Sequence, residues 1–237
     1  MHTVAQHDPR RTSALPAAIL WDFDGTLVDS ERYWIAEEYA LVGEHGGTWS
    51  DHHAEAIVGN DLLTSGAYIR DHGPVAMEPA DIVATLVRGV RRRLAEFIPW
   101  RPGVVAVRAQ AAAAGVPQGL VTMSYATVVE PVLAALGPAG MPGFDTVVTG
   151  EVVRRGKPDP EPYLLAARRL GVDPADCVAV EDSLTGATSA AAAGCVVLVA
   201  PNAVTVPGSP SWTLRPDLAG VRLADLADLL AAGSTGR

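Results

Sequence analysis

Four short apolar runs, each stopping abruptly at polar or loop-forming residues, constrain the fold more than any other feature of this chain. They are Ala18-Ile19-Leu20-Trp21, Gly119-Leu120-Val121-Thr122, Cys177-Val178-Ala179-Val180 and Val196-Val197-Leu198-Val199. Continuous apolar runs of this length suit strands buried on both faces, as in a parallel sheet. Helical patterns separate them: Val104 to Ala114 ends at Gly115, Pro162 to Leu170 at Gly171, and Ser183 to Ala193 at Gly194. Glycine just past a helix is the usual C-terminal stop, so strand and helix alternate cleanly. The pattern predicts a Rossmann-like α/β core, a parallel sheet with helices on both faces.

The stretch from Ser30 to about Pro99 has no buried strand pattern. It carries helical patterns at Glu31 to Val42, Leu62 to Asp71 and Pro79 to Phe97, with Ser30 placed to cap the first. It reads as an α-helical cap over 30–98, inserted after the first strand of a core made of 16–29 and 99–237. The Pro/Ser-rich stretch Pro201 to Pro216 reads as an irregular loop before a last helix, Leu223 to Leu230. Residues 1–15 read as a disordered tail. Within it Arg10-Arg11 precedes a mildly apolar stretch, a pattern shared with twin-arginine export signals. That stretch runs directly into Asp22, so cleavage there would threaten the acidic motif, and a cytoplasmic protein is the expectation.

Charge narrows the partners. The formal net charge is −9 with no basic stripe, which argues against nucleic acid or an anionic membrane and leaves room for a small anion in a local positive pocket. No apolar stretch approaches the ~18 residues of a membrane helix. Cys177 and Cys195 lie beside apolar runs and read as buried reduced thiols.

Chemistry-bearing residues gather where open α/β sheets place ligands, just after strand ends. Asp22-Phe23-Asp24-Gly25-Thr26 follows the first run, Thr122 ends the second with Ser124 beyond it, and Glu181-Asp182-Ser183 follows the third; Gly156-Lys157-Pro158 presents an ammonium from a turn. Two acids side by side at a sheet edge repel each other, and persist more readily where a divalent cation or divided acid and base roles relieve the repulsion. Each element alone is a weak signal.

Together these segments resemble the haloacid dehalogenase (HAD) superfamily, in its phosphatase and β-phosphoglucomutase-like branch with a helical cap. The resemblance rests on Asp22 to Ser30, Leu120 to Ser124, Gly156 to Tyr163 and Val180 to Gly186, with Arg101-Pro102-Gly103-Val104 as the return from cap to core. It covers about Ile19 to Val199. It implies a phosphatase acting on a small phosphorylated metabolite. Asp22 is then the nucleophile, Asp24 the general acid and base, and Thr122 and Lys157 the partners of the phosphoryl group. Gly25, Ser124 and Asn60 become substrate-binding residues. Mg²⁺ would be held by Asp22, Asp24 (through its carbonyl) and Asp182, with Glu181 close by, and hard oxygen ligands suit that ion better than zinc.

Two departures sharpen the expectation. Dehalogenases of the superfamily lack an acid two residues after the nucleophile, so Asp24 argues against carbon–halogen hydrolysis. The β-phosphoglucomutase relatives carry a histidine twelve residues after the nucleophile, where this chain has Trp34. They also carry a cap-loop arginine, and no arginine occurs here between Arg32 and Arg70. A sugar phosphomutase and a non-catalytic HAD-like binding or regulatory protein remain the alternatives; a monomer or weak dimer is expected.

Several tempting features have plainer readings. Asp51-His52-His53 with Glu55 reads as a solvated helix start rather than a second metal site, and Arg88 with Arg91-Arg92-Arg93 as a solvated helix face. Arg154-Arg155 is closer to Lys157, with attraction of a phosphorylated substrate the lesser alternative to a solvated pair. Gly59-Asn60-Asp61 is either a substrate contact or a turn and helix cap. Trp34, Trp49 and Trp100 read as packing.

Overall fold

The computed structural model describes residues 14–58 and 60–234. Most of the expected N-terminal tail, with Arg10-Arg11, and Gly59 of the cap loop lie outside them.

The four apolar runs form β1 (Ala18–Trp21), β2 (Gln118–Val121), β4 (Cys177–Glu181) and β5 (Val196–Val199). All four are buried along their whole length, as both-face coverage requires. Two further strands complete a six-stranded sheet: β3 (Thr146–Val148) and β6 (Thr213–Leu214). Every pairing is parallel, in the order β3-β2-β1-β4-β5-β6. This is a Rossmann-like α/β fold. The chain builds outward on one side of β1 and then crosses to the other, so the switch point falls at the C-terminal ends of β1, β2 and β4.

Helices α5 (Val104–Ala113), α6 (Ala126–Ala135), α7 (Glu161–Leu170), α8 (Leu184–Ala192) and α9 (Leu223–Ser234) belong to this part of the chain. Between β1 and α5 come α1 (Glu31–Glu44), α2 (Asp51–Ile57), α3 (Leu62–His72) and α4 (Pro79–Glu96), with no named strand among the described residues there. The chain leaves and re-enters the sheet region side by side: Asp29 N donates to Pro99 O (2.8 Å) and Arg101 N to Leu27 O (3.1 Å). Asn202 braces both crossings, donating to Asp29 Oδ1 and accepting from Arg101 NH1. Arg101 therefore stands at the return to the sheet region, where the sequence placed it.

Some expectations need correction. Neither β3 nor β6 was anticipated, since three and two residues are too short to stand out, and β6 interrupts the expected loop over Pro201 to Pro216. Helix α6 was missed because it is mostly apolar and carries Pro131 inside it, which hides any periodicity. Cys177 and Cys195 are buried and not joined in a disulfide, as expected. Among the described residues no helix is long and apolar enough to cross a membrane.

One core residue gave no sequence signal. Arg108 of α5 is fully buried. Its guanidinium donates to Gln118 Oε1 (3.2 Å) and Pro142 O (3.0 Å) and lies 3.7 Å over the Phe144 ring. Burial pulls its pKa down to about 10, the carboxylate of Asp145 acting the other way. Replacing it empties a buried volume and takes the guanidinium donor from Pro142 O, while Gln118 Oε1 keeps Trp21 Nε1, so Arg108→Ala should lower stability by about 3 kcal/mol in urea unfolding.

Candidate active site

The C-terminal ends of the three central strands supply the acids. β1 runs on through Asp22, whose N–H donates to Val180 O (3.0 Å). The chain then turns tightly: Leu27 N and Val28 N both donate to Phe23 O, and Gly25 N donates to Val28 O (2.8 Å). Gly25 sits at φ +79°, and a Cβ there would run into the Asp182 carboxylate. Only glycine satisfies both demands. That lets the β1 and β4 acids approach, and Asp22, Glu181 and Asp182 each place an oxygen within 4.8 Å of the others.

Lys157 neutralises part of this charge from the loop between β3 and α7. Its buried ammonium donates to Asp22 Oδ1 (2.6 Å), Glu181 Oε1 (2.6 Å) and Val121 O (2.9 Å). Tyr163 of α7 also donates to Glu181 Oε1, and Asp182 N and Ser183 Oγ donate to Oε2. Glu181 is thus surrounded by donors of the protein itself, as an anchor for Lys157 would be.

Asp24 is gripped on both oxygens. Ser30 Oγ (2.6 Å) and Trp34 Nε1 (3.0 Å) donate to Oδ1, and Ser124 Oγ (2.5 Å) donates to Oδ2. Two readings change here. Ser30 occupies the N-cap position of α1 but makes no capping bond with its side chain, because its hydroxyl is committed to Asp24. Trp34 packs, being 8% exposed, yet its indole N–H serves the site. Thr122 is buried and accepts from Ser124 N (3.0 Å).

These groups floor a cavity. Asp22, Asp24, Thr122, Ser124, Lys157 and Asp182 line one side; Glu31, Trp34, Glu38, Asn60, Ser65 and Leu86 are among those on the other. Asn60 is exposed at the rim, its amide donating to Ala56 O, while Asp61 caps α3 by accepting from Thr64 N. The helix-cap reading of that turn therefore holds for Asp61, and Asn60 lines the cavity. Gly25 does not line the cavity; it lies against Asp182 instead.

Other candidates are occupied elsewhere. Arg155 pairs with Asp159 and Glu161, and Glu161 accepts from Arg154 N, so the Arg154-Arg155 pair is not brought into the cavity. Arg92 and Arg93 pair with Glu37, and Arg91 with Glu130. His53 stacks on Trp49 and shares a hydrogen bond with Ser50, and Asp51 accepts from Tyr39, so the Asp51-His52-His53 stretch is not a metal cluster.

The electrostatics show too many carboxylates for one ammonium. Burial, then Glu181, pushes Asp22 up to about 7 against the pull of Lys157. Asp182 is raised well above the carboxylate range by burial and then by Asp22. Glu31 reaches about 8 through burial and then Asp24. A divalent cation among Asp22, Asp24 and Asp182 would relieve this repulsion, so the donor set fits a hard ion with oxygen ligands. Glu31 and Glu38, both facing the cavity from α1, carried no sequence signal beyond their helical spacing.

A model of haloacid dehalogenase-like hydrolases matches residues 16–194. The chain belongs to that family. Hexitol phosphatase A of Escherichia coli (strain K12) is 37% identical over 187 residues, covering 76% of this chain and 80% of its own. Protein CbbY of Cereibacter sphaeroides is 31% identical over 196 residues, covering 79% and 85%. Among solved structures, CbbY from Rhodobacter sphaeroides in complex with xylulose-(1,5)bisphosphate superposes with a TM-score of 0.76 at 28% identity, over 86% of this chain and 96% of that one. A β-phosphoglucomutase from Clostridium difficile reaches 0.77 at 17% identity, over 94% and 100%, a likeness of fold alone.

Glu38 offers a test of the burial. It is 5% exposed, and burial raises its pKa from 4.5 to about 7 against the hydrogen bond from Trp49 Nε1. The folded state then binds the proton more tightly than the unfolded chain, so stability falls as pH rises from about 4.5 to about 7. Glu38→Gln should remove that slope, matching the parent at about pH 4.5 and exceeding it by up to about 3 kcal/mol at pH 8, read by urea unfolding at both.

Proposed function

We propose that this hydrolase is a Mg²⁺-dependent phosphatase that cleaves a small phosphate monoester through an aspartyl-phosphate on Asp22. The observation that carries the reading is Asp22 held by Lys157 at the floor of a cavity, with Asp24 fixed in the same cavity by three donors. Family membership and relatives named as hexitol phosphatases support it. A sugar or sugar-alcohol phosphate is the substrate class these relatives suggest.

In the proposed reaction a carboxylate oxygen of Asp22 attacks phosphorus in line, and the bond from phosphorus to the ester oxygen breaks. Asp24, as general acid, gives a proton to the departing alkoxide, which leaves as the alcohol. Water then attacks phosphorus and passes a proton to Asp24, and the phosphorus–Asp22 bond breaks. Inorganic phosphate departs with both acids returned to their starting states. Lys157 holds the Asp22 carboxylate in place and balances its charge. The Thr122 hydroxyl, turned by its bond from Ser124 N, donates to a phosphoryl oxygen, and Ser124 helps set the Asp24 carboxyl.

Asp22, Asp182 and the Asp24 carbonyl would hold Mg²⁺, which when bound offsets the charge of the phosphoryl group. Glu181 serves Lys157 rather than the ion. Helices α1–α4 act as a cap over residues 30–98, closing on the core residues 16–29 and 99–237 to keep bulk water out. The paired crossings at Asp29 and Arg101 form its hinge.

Trp34 favours hydrolysis over the mutase alternative, since an indole N–H donates without exchanging a proton with Asp24. A mutase would convert β-glucose 1-phosphate to an isomer, whereas a phosphatase releases inorganic phosphate from it. A binding or regulatory protein would have no use for both Asp22 and Asp24.

Phosphate release from a panel of monoesters tests the proposal. Asp22→Asn should lower kcat by about a thousandfold or more, and equal release by the two proteins would overturn it. Chelation should abolish activity and added Mg²⁺ restore it. Trp34→Phe, which removes one donor to Asp24, should lower kcat about tenfold with a smaller change in KM.

A further inference from the structure

The wall of the cavity opposite Asp22 is acidic and apolar. Glu31, Trp34 and Glu38 stand on one face of α1, at helical spacings of three and four. Around them the helical segment contributes Ile57, Val58, Leu62, Val83 and Leu86. Among the described lining residues Lys157 is the sole cation, and its three N–H bonds already go to Asp22, Glu181 and Val121 O. The arginines of α4 that pair with Glu37 and Glu130 do not line the cavity.

Resting on the phosphatase reading, we propose that Glu38, seconded by Glu31, makes this cavity select phosphate monoesters whose remaining part is uncharged and rich in hydroxyls. Esters that carry a second anionic group are turned away. Trp49 Nε1 donates to Glu38 Oε2 (3.1 Å), and no other donor reaches this carboxylate among the described residues. A carboxylate has lone pairs for several donors, so Glu38 can accept hydroxyl protons from a polyol while Trp49 holds it in place. The side chains of Ser65 and Asn60 add neutral polar contacts in the same cavity. A second phosphate or carboxylate placed there meets like charge and apolar wall, without an ammonium or guanidinium to receive it. Negative selection of this kind works by repulsion rather than by added attraction.

The test uses the Mg²⁺-loaded full chain at about pH 8, with a hexitol monophosphate, the corresponding hexitol bisphosphate and p-nitrophenyl phosphate. The parent should favour the monophosphate over the bisphosphate by about tenfold or more in kcat/KM, the scale of one unfavourable charge contact. Glu38→Gln keeps an acceptor for Trp49 and removes the charge. It should narrow that preference about threefold or more, chiefly by lowering KM for the bisphosphate and raising it for the monophosphate. Equal efficiency of the parent on the two hexitol esters would overturn the selectivity. So would a ratio unmoved by Glu38→Gln. In either case hydrolysis of p-nitrophenyl phosphate leaves the phosphatase reading standing. Failure to hydrolyse any of the three esters would overturn both.

Discussion

Lys157 is buried at the floor of the cavity, with its three N–H bonds directed at Asp22, Glu181 and the end of β2. A lone ammonium so deeply buried would lose its proton. Here the two carboxylates outweigh the cost of burial, and its pKa is raised rather than lowered. The arrangement ties together three strand ends and the loop before α7, so the site and the centre of the sheet stabilise each other. Removing the ammonium would leave two buried carboxylates facing each other, a far larger penalty than the loss of one surface ion pair.

The sheet order explains why these groups meet at all. With β1 between β2 and β4, the residues after three neighbouring strands fall at one edge. Side chains from positions 22, 122, 124, 181 and 182 are then neighbours despite their distance in sequence. Gly25 permits the closest approach, and Gly186 does the same on the other side, since a Cβ there would strike the Glu181 carboxylate. The packing is close because it must be. Charges this dense are tolerable only where donors are fixed within hydrogen-bond reach.

Much of this was legible in the sequence, for identifiable reasons. Strands buried on both faces write themselves as unbroken apolar runs, and the acids that end them mark the functional edge. What stayed hidden depended on contacts between distant segments. The spacing of Glu31, Trp34 and Glu38 was visible as a helix face. Nothing local, however, distinguishes a face that packs on a core from one that looks into a cavity. Ser30 illustrates the same limit: a serine before a helix is a cap by local rules, and tertiary competition from Asp24 took its hydroxyl instead. Arg108 is the extreme case, a charge that local patterning assigns to solvent and that only Gln118, Pro142 and Phe144 together can keep inside.

The Asp24 environment bears on the division of labour between the two halves of the site. Its three donors come from Ser30 and Trp34 at the start of the helical segment and from Ser124 after β2. The carboxyl is therefore shared across the cavity, and any movement of α1 relative to the sheet must change its partners. Under the proposed reading, an acid that both gives and takes a proton benefits from donors that release it in turn. Ser30 and Ser124 can rotate their hydroxyls, whereas the indole of Trp34 can only donate. Under that reading Trp34 would be the fixed donor to Asp24, and its placement on α1 would tie the acid's orientation to the position of the helices.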